Sequence, residues 1–490
     1  MLFNSIDFLL FLFVVIGIVA IFRYPKFQHL FLIFSSLFFL YYTDNYLIIL
    51  LVGIILLNFY SGKAIFIANS LKQKKLFFVI GLAGSLGLLG FFKYADFTIT
   101  QFNILGNIFN LTSEIPLLNL VLPIGISFYT FQSLSYIFDI YRGSLKPCKT
   151  LKEFSLFVAF FPPLVAGPIV RASVFLPQLR EKIENVKNST NLRQIVIHNN
   201  NLKFGITLMS IGFFKKMFFA DNIAPLADNI FSNPIGMESF SIILGTVAFG
   251  VQLYCDFSAY SDIAIGAAAI FGFKIPINFN KPFFATSPSD FWSRWHISLS
   301  TWVRDYLYYP LVFKNRKKNI VVFSSLLFSM ILMGFWHGAS WNFVIWGGIH
   351  GIFLGLHTIM RTKLPQSYHK FFKSKSGTIS SIFITQYIVF FTFIAFRVED
   401  IELMLYSMKK YVILDFDTTQ TIEIIRNNEF SILLIILFVI LHFISFKKGN
   451  LIERLSKLRL SYWAIFLFLI IVPVALFYVG TAEQFIYFKF

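Results

Sequence analysis

The sequence is poor in charged residues. Only 13% of its 490 residues are Asp, Glu, Lys or Arg, whereas 57% are hydrophobic, and the mean hydropathy is +0.72. A water-soluble chain of this length would need a larger polar surface, so these proportions exclude an ordinary soluble protein and predict one that lies in a bilayer. The 66 phenylalanines supply packing area and indicate nothing about chemistry.

Acidic residues are scarcer than basic ones. The chain has 24 Asp and Glu against 42 Lys and Arg, which gives a net charge of +18. The basic residues occur in short runs between apolar segments and do not cover one face of a soluble domain. That distribution is typical of the cytoplasmic loops of membrane proteins, and it argues against nucleic acid as a partner.

Cysteines and the common hydrolase motifs are also scarce or absent. The two cysteines are Cys148, in a basic loop, and Cys255, in an apolar segment, so neither a disulfide nor a thiolate metal site is predicted. The sequence contains no G-x-S-x-G elbow, no H-E-x-x-H motif and no P-loop. These absences exclude a serine triad of the elbow type and a zinc hydrolase, and no metal is expected.

The chain shows no removable leader and no linker. Its first apolar segment begins near Phe8 without a basic region or a small-residue cleavage site before or after it, which predicts a retained transmembrane helix. No repeat or low-complexity segment divides the sequence. We therefore expect one integral-membrane domain over residues 1–490, with a catalytic core at about 120–360.

Long apolar runs predict an all-α, polytopic membrane protein with about 11–13 transmembrane helices. The run 239–271 is too long for one upright helix and is expected to be a span followed by a tilted or broken one. Prolines interrupt segments 154–170 and 281–313, which predicts short or re-entrant helices beside a cavity. The other predicted spans are 5–22, 27–42, 45–60, 76–92, 116–141, 204–220, 319–336, 340–360, 378–396, 430–446 and 462–480.

The basic loops predict the orientation. Loops 23–26, 63–75 and 142–152 follow alternate spans and are rich in Lys and Arg, as are loops 361–375 and 447–459 in the second half. The stretch 399–423 between the last two is acidic. The positive-inside rule places the basic loops in the cytoplasm, so both termini are predicted to be periplasmic.

Three of the eight histidines lie between residues 281 and 351. The first follows Ser287-Pro288-Ser289-Asp290, a capping box that predicts a helix start. Beyond it, apolar residues recur at helical spacing and predict one continuous helix with an aromatic face that includes His296. Arg294 points elsewhere and could meet phosphate or an anionic headgroup. An interfacial amphipathic helix is the open alternative.

The second histidine segment runs from Gly334 to Gly351. An imidazole inside an apolar span is costly if charged, so His337 is a candidate functional residue that can take and return a proton. The alternative is that His337 only bonds a carbonyl at a helix kink. If 338–351 were one helix, His337 and His350 would lie about 140° and about 20 Å apart, whereas Asn342, Trp346 and His350 would share a face.

Several ordered motifs resemble one known family. They are LPIGISFYTFQ at 122–132, LVAGPI at 164–169, YCDFSAYSDIA at 254–264, NFNKPF at 278–283 and the two histidine segments. The chain resembles the membrane-bound O-acyltransferase (MBOAT) superfamily, and within it the branch of alginate and peptidoglycan O-acetyltransferase membrane subunits. One departure is 311–316, where relatives often carry glycines.

The resemblance implies a ring of helices around a tunnel that crosses the membrane. It implies that His337 is the general base and that His296 orients the donor or steadies the oxyanion. Substrate-binding or tunnel-lining roles are expected for Trp336, His350, Arg294, Asp256, Tyr260, Asp262 and Asn342. On the inferred inner side, the residues expected to meet the donor's phosphates are Arg171, Arg180, Lys314, Arg316, Lys317 and Lys318.

The implied function is transfer of acetyl from cytoplasmic acetyl-CoA across a bacterial inner membrane, for O-acetylation of an extracytoplasmic polysaccharide such as alginate or peptidoglycan. A separate periplasmic acetyltransferase of the SGNH hydrolase type is the implied partner, because no soluble domain for the final transfer is evident. Two alternatives remain open at this point. One is transfer of D-alanine toward teichoic acid, and the other is a transporter whose broken helices line a substrate pathway.

Overall fold

The computed structural model describes residues 1–110, 114–184, 195–315, 317–365, 370, 372, 374–478 and 485–486. This part of the chain is helical and contains no strand, which confirms the predicted all-α class. The helices are α1 Ile6–Ile21, α2 Pro25–Asp44, α3 Ile48–Ile67, α4 Leu71–Ile108, α5 Ile126–Tyr141, α6 Leu151–Ala159, α7 Phe161–Leu164, α8 Ala172–Leu179, α9 Asn199–Phe213, α10 Asp221–Phe231, α11 Ser239–Ile270, α12 Pro288–Arg294, α13 Ile297–Val303, α14 Tyr309–Val312, α15 Asn319–His337, α16 Trp341–Lys363, α17 Lys375–Arg397, α18 Ile401–Val412, α19 Thr419–Asn427, α20 Glu429–Lys448, α21 Leu451–Ser456 and α22 Leu460–Leu476.

Many of these helices can cross a membrane. Within the described residues, seven helical stretches are long and apolar enough to do so, and one of them, Pro25–Ile67, contains both α2 and α3. Helices α1 and α22 are apolar but shorter. The chain is therefore a multi-pass membrane protein, as expected. The ring of helices around a tunnel stays a prediction.

The chain forms two compact units. The first comprises Met1–Met209 with Ile263–Pro276, and the second comprises Ser210–Asp262 with Ile277–Phe490. The expectation of one domain over 1–490 stays a prediction. Every residue of the two histidine segments lies in the second unit, so the geometry of that cluster is defined within one body.

Aromatic side chains fill the core of the first unit. Phe154, Phe157, Phe160, Phe161 and Phe175 are all buried, and neighbouring rings in this set lie 5.3–5.9 Å apart. Rings at these separations pack edge-on or tilted, which adds to the gain from burying their area. The proline-interrupted segment 154–170 forms the short helices α6 and α7, which confirms the prediction of broken elements there.

Helix α5 starts later than the predicted span 116–141. Residues 114–125 lack regular helix, and Gly125 takes the left-handed conformation with φ of 76° directly before α5. A Cβ atom on Gly125 would lie 2.9 Å from the carbonyl oxygen of Leu164, so glycine is required there for space as well as conformation. Pro116 and Pro123 explain why the apolar run does not continue as helix.

The prediction that 239–271 is a span followed by a tilted or broken element is wrong. Helix α11 is continuous over 32 residues. The helix contains no proline, and 72% of its most apolar stretch is buried inside the protein. Because α11 packs against other parts of the protein along most of its length, it continues as one helix without the expected break.

Helices α15 and α16 form an antiparallel hairpin held close by glycines. A Cβ atom on Gly334 would lie 2.1 Å from the carbonyl oxygen of Phe343, and one on Gly347 would lie 2.3 Å from that of Met330. Gly351 likewise lies against Leu327. Close backbone approach of this kind is typical of helix pairs inside membranes. The predicted spans 319–336 and 340–360 are confirmed within a few residues.

Candidate active site

A break between two short helices places His296. The sequence predicts one continuous helix through this region, and that prediction is wrong. Helix α12 ends at Arg294, Trp295 is extended, and His296 is left-handed with φ of 44° and ψ of 52° before α13 begins at Ile297. The predicted cap at the start of α12 is confirmed, because the Ser287 hydroxyl accepts a hydrogen bond from the Asp290 amide over 3.1 Å.

A loop is strapped to this break by backbone hydrogen bonds. The amide of Ile297 donates to the carbonyl of Asn278 over 2.9 Å, and the amide of Asn280 donates to the carbonyl of Arg294 over the same distance. Left-handed backbone is uncommon outside glycine and costs energy for other residues. The strap offsets that cost, so the conformation of His296 is fixed by the loop 278–280.

The side chain of Asn278 contacts the ring of His296 and also Ser298, two residues after it. Its Oδ1 accepts from the Ser298 amide over 3.1 Å and from the Ser298 hydroxyl over 2.8 Å, and it lies 3.3 Å from Nδ1 of His296. Its amide group donates to the Ser261 hydroxyl over 3.2 Å. Asn278 and His296 are each 1% exposed, and burial holds the pKa of His296 well below its usual range.

The two histidine segments meet at Trp336. The ring centroid of Trp336 lies 6.4 Å from that of His296 and 4.9 Å from that of His337. His337 is the last residue of α15 and is 8% exposed. Its ring also packs edge-on against Trp346 and Phe396, each at 5.2 Å. The structure therefore brings together both residues predicted to be catalytic, with Trp336 beside each of them.

His350 belongs to the same aromatic cluster. Because α15 ends at His337 and α16 begins at Trp341, the two histidines do not share one straight helix, and the separation calculated for that case does not apply. The Trp346 ring lies 5.2 Å from His337 and 4.7 Å from His350. Nε2 of His350 is 2.9 Å from the Thr392 hydroxyl. His350 therefore connects α16 to α17 next to His337.

Two buried indole groups in this cluster have donors available. In the described part of the chain, the Nε1 atoms of Trp292 and Trp346 have no hydrogen-bond partner. Their rings are 5.8 Å apart, and they are 7% and 3% exposed. A buried hydrogen-bond donor without a partner costs folding free energy, so such groups often bind a ligand or an ordered water.

A cavity approaches the cluster along α15. It has a volume of about 440 Å³ and lies between α12, α13, α15 and α16. Met333, one helical turn before His337, lines one part of it. A second cavity of about 310 Å³ shares Tyr308 and Thr358 with the first and extends to Asn319, at the start of α15. The residues that line the larger cavity include several serines and threonines, namely Ser289, Ser293, Ser300, Thr301, Ser329 and Thr358.

Two of the three candidates from motif 254–264, Asp256 and Asp262, form ion pairs with adjacent lysines, and the third, Tyr260, lies between them in the sequence and is buried. Nζ of Lys216 lies 2.7 Å from Oδ1 of Asp256 and 2.8 Å from Asp221. Lys215 lies 2.6 Å from Asp262. Tyr260 is buried, and its ring packs at 4.9 Å against Phe485, next to Ile486, whose amide donates to Asp256. These groups brace the unit, and a direct role in lining a tunnel stays a prediction.

Two other candidates have structural partners. Asn342 donates from its amide to the carbonyls of Val398 and Glu399, which ties the start of α16 to the end of α17. Arg294 pairs with Asp290 over 2.7 Å and also donates to the carbonyl of Asn280. Both side chains hold elements of the site together, and neither is shown to touch a substrate.

The six predicted phosphate-binding residues divide into two groups. Arg171 and Arg180 belong to the first unit, where Arg180 forms an ion pair with the buried Glu153. Lys314, Lys317 and Lys318 belong to the second unit and are exposed in the loop before α15. Arg316 lies outside the described residues. Of the predicted phosphate-binding residues that the structure describes, Lys314, Lys317 and Lys318 therefore lie in one loop.

Sequence reasoning missed several residues of the site. Asn278 belongs to the motif at 278–283, but the sequence indicates no role for it, and Lys215 and Lys216 lie within the predicted apolar span 204–220. Two adjacent lysines inside such a span need buried acids as partners, and that is the signal by which they could have been found. Within the described residues, no cluster of three or more His, Cys, Asp or Glu side chains could hold a metal ion.

Comparison with known proteins identifies the family of the chain. Residues 149–398 match the profile of MBOAT, the membrane-bound O-acyltransferase family. The chain is 37% identical over 357 residues to the peptidoglycan O-acetyltransferase of Helicobacter pylori, a match that covers 68% of this chain and 65% of the relative.

Two other relatives represent different acyl groups or acceptors. The probable alginate O-acetylase AlgI of Azotobacter vinelandii is 38% identical over 315 residues, which cover 64% of this chain and 60% of the relative. The teichoic acid D-alanyltransferase of Bacillus subtilis is 32% identical over 285 residues, which cover 57% and 69%. The chain thus spans somewhat less than two thirds of the length of the O-acetylating relatives. It belongs to the membrane-bound O-acyltransferase family.

Proposed function

We propose that this protein transfers an acetyl group from acetyl-CoA toward an extracytoplasmic polysaccharide, with His337 as general base. The observation that carries the proposal is that the rings of His296 and His337 both lie near the ring of Trp336, in a buried aromatic cluster. The chain also belongs to a family of O-acyltransferases. Peptidoglycan or alginate are the acceptor types named for the relatives that are 37–38% identical to this chain.

The proposed reaction is attack of a hydroxyl oxygen on the thioester carbonyl carbon. His337 takes the hydroxyl proton as the new C–O bond forms and the C–S bond breaks, and it returns that proton to the departing thiolate. The products are an acetyl ester and free coenzyme A. The indole N–H groups of Trp292 and Trp346 are the candidates to stabilise the oxyanion, because they are buried donors with no partner in the described part of the chain.

The cavities beside α15 support entry of the donor from the cytoplasmic side. Lys314, Lys317 and Lys318 stand exposed at the start of the helix, where they can bind phosphates through charge-assisted contacts. From that point the two cavities follow α15 to within one turn of His337. The combined space is of the size that holds small molecules and cofactors. This arrangement suits a thioester presented from the end of a long arm.

The membrane location, the topology and the partner belong to the same proposal. We propose the bacterial inner membrane with both termini in the periplasm, and a separate periplasmic acetyltransferase that completes transfer to the polymer. Transfer of D-alanine is the second candidate, since teichoic acid D-alanyltransferases are 31–32% identical to this chain. The greater identity to O-acetylating relatives favours acetyl. A transporter gains no support from the family.

The test is acetyl transfer from labelled acetyl-CoA by the purified protein. His337→Ala should lower turnover at least about 100-fold, which is the usual contribution of a general base. The matched control is His198→Ala, because His198 is exposed and belongs to the first unit, whereas the cluster belongs to the second. Near-normal turnover by the folded His337→Ala protein would contradict the role of His337. Transfer of D-alanine but not acetyl would replace the donor.

A further inference from the structure

The hydrogen bonds around Asn278 determine which atom of its side-chain amide faces His296. A backbone N–H can only donate, so the atom of Asn278 that lies 3.1 Å from the Ser298 amide must be the oxygen. The opposite end of the same amide lies 3.2 Å from the Ser261 hydroxyl, which can accept from it. The orientation of Asn278 thus follows from its neighbours on two sides.

That orientation in turn determines the tautomer of His296. The Asn278 oxygen lies 3.3 Å from Nδ1 of His296, and an oxygen that only accepts requires a proton on the facing nitrogen. The imidazole is fully buried, and burial keeps its pKa low, so the ring is neutral and carries one proton. With that proton on Nδ1, the other nitrogen, Nε2, presents a lone pair.

We infer that Asn278 is a positioning residue that holds His296 in the Nδ1–H tautomer, so that Nε2 accepts a hydrogen bond from an N–H or O–H group of the substrate. This inference rests on the proposed acyl transfer. It decides between the two roles that the family resemblance implies for His296. A lone pair cannot stabilise an oxyanion, so His296 orients a substrate and the oxyanion is left to other donors.

The backbone supports the same role for Asn278. Its carbonyl accepts from the Ile297 amide directly after the left-handed His296, while its side chain binds His296 and Ser298. One residue thus holds both the main chain and the ring of the histidine. A strained residue held by several neighbours is a common feature of functional sites.

The first experiment measures the tautomer directly. The protein is labelled with nitrogen-15 histidine, reconstituted in lipid and studied by solid-state NMR, with the His296 signals assigned by their loss in His296→Gln. The native protein and Asn278→Asp should show a protonated Nδ1, because a carboxylate also accepts from it. Asn278→Ala should lose this preference. A protonated Nε2 in the native protein, or an unchanged tautomer in Asn278→Ala, would overturn the inference.

The matched control is Ser261→Ala. This change removes the contact at the amide end of Asn278 and leaves the oxygen and its three neighbours in place, so the Nδ1–H tautomer should persist. Loss of the tautomer in Ser261→Ala would mean that general packing, and not the Asn278 oxygen, controls the ring, and it would overturn the inference.

The second experiment measures kinetics. Asn278→Ala should lower kcat/KM about tenfold, as for loss of one hydrogen bond, and Asn278→Asp should restore most of it. A rise in KM for acetyl-CoA would place the bound group on the donor, and a rise in KM for the hydroxyl substrate would place it on the acceptor. Equal activity of the Asn278→Ala, Asn278→Asp and native proteins would contradict the positioning role. Absence of any acyl transfer would instead contradict the proposed function, since the NMR measurement requires no turnover.

Discussion

At the scale of single residues, the buried charges matter most for stability. Lys216 and Asp256 are 2% and 1% exposed and lie 2.7 Å apart, and Lys216 also lies 2.8 Å from Asp221, so one buried cation compensates two carboxylates. Ion pairs this deep do not stabilise by much in total, because desolvation opposes their attraction. Removing Lys216 is a different matter, since it leaves two carboxylates buried without the cation that they share.

We expect Lys216→Met, which leaves the carboxylates of Asp256 and Asp221 without their shared cation, to destabilise the protein by about 3–5 kcal/mol, the usual cost of breaking a buried ion pair. The measurement is thermal or denaturant unfolding in detergent, followed by tryptophan fluorescence. The control is Asp228→Ala, because Asp228 pairs with Arg397 at the same 2.7 Å but is 61% exposed. That change should cost no more than about 1 kcal/mol. Equal loss of stability in both variants would show that burial does not govern the contribution of the Lys216 ion pairs.

At the scale of elements, the glycines of the α15–α16 hairpin set the position of His337. The hairpin brings the end of α15, which carries His337, against Trp346 of α16, and this contact depends on the close approach at Gly334 and Gly347. Larger residues at these positions would push the helices apart. The cluster would then lose its geometry even though every side chain in it is unchanged.

Gly347→Ala is therefore expected to reduce both stability and acyl transfer. Its Cβ would lie 2.3 Å from the carbonyl oxygen of Met330, a contact that backbone movement alone can relieve, at a cost of about 1–3 kcal/mol. Gly348→Ala, one residue away, meets nothing within 4 Å and should be neutral or slightly stabilising. The two variants are compared by unfolding and by turnover. Similar behaviour of both would rule out close helix packing as the reason for glycine at 347.

At the scale of the whole molecule, the distribution of charge predicts the topology. Cysteines introduced at Lys74 and Lys447 should be shielded from an impermeant thiol reagent in intact cells, because both positions lie at helix ends in the basic segments that the positive-inside rule assigns to the cytoplasm. One introduced at Glu402, in the acidic stretch, should react. The native Cys148 and Cys255 are buried and give little background. The reverse labelling pattern would invert the proposed orientation. The basic-loop position at Lys373 lies outside the described residues, so Lys447 serves in its place.

Some features could be predicted because they depend on local sequence. Apolar runs of sufficient length gave the all-helical membrane architecture and the bounds of α15 and α16, since each such helix satisfies its own backbone in lipid. The cap at Ser287 could also be predicted, because its hydrogen bond joins Ser287 to Asp290, only three residues away in the sequence. The choice of His296 and His337 came from the family resemblance, and their meeting at Trp336 is a finding of the structure.

Other features depended on contacts between distant parts of the chain. The sequence did not predict the continuous α11, the break at His296 or the pairing of Lys215 and Lys216 with acids, because each is stabilised by partners far away in sequence. The sequence by itself determined a multi-pass helical protein of the membrane-bound O-acyltransferase family. Only the tertiary structure decided that Asn278 contacts His296, since a hydrogen bond between these two segments requires the fold that brings Oδ1 of Asn278 within 3.3 Å of Nδ1 of His296.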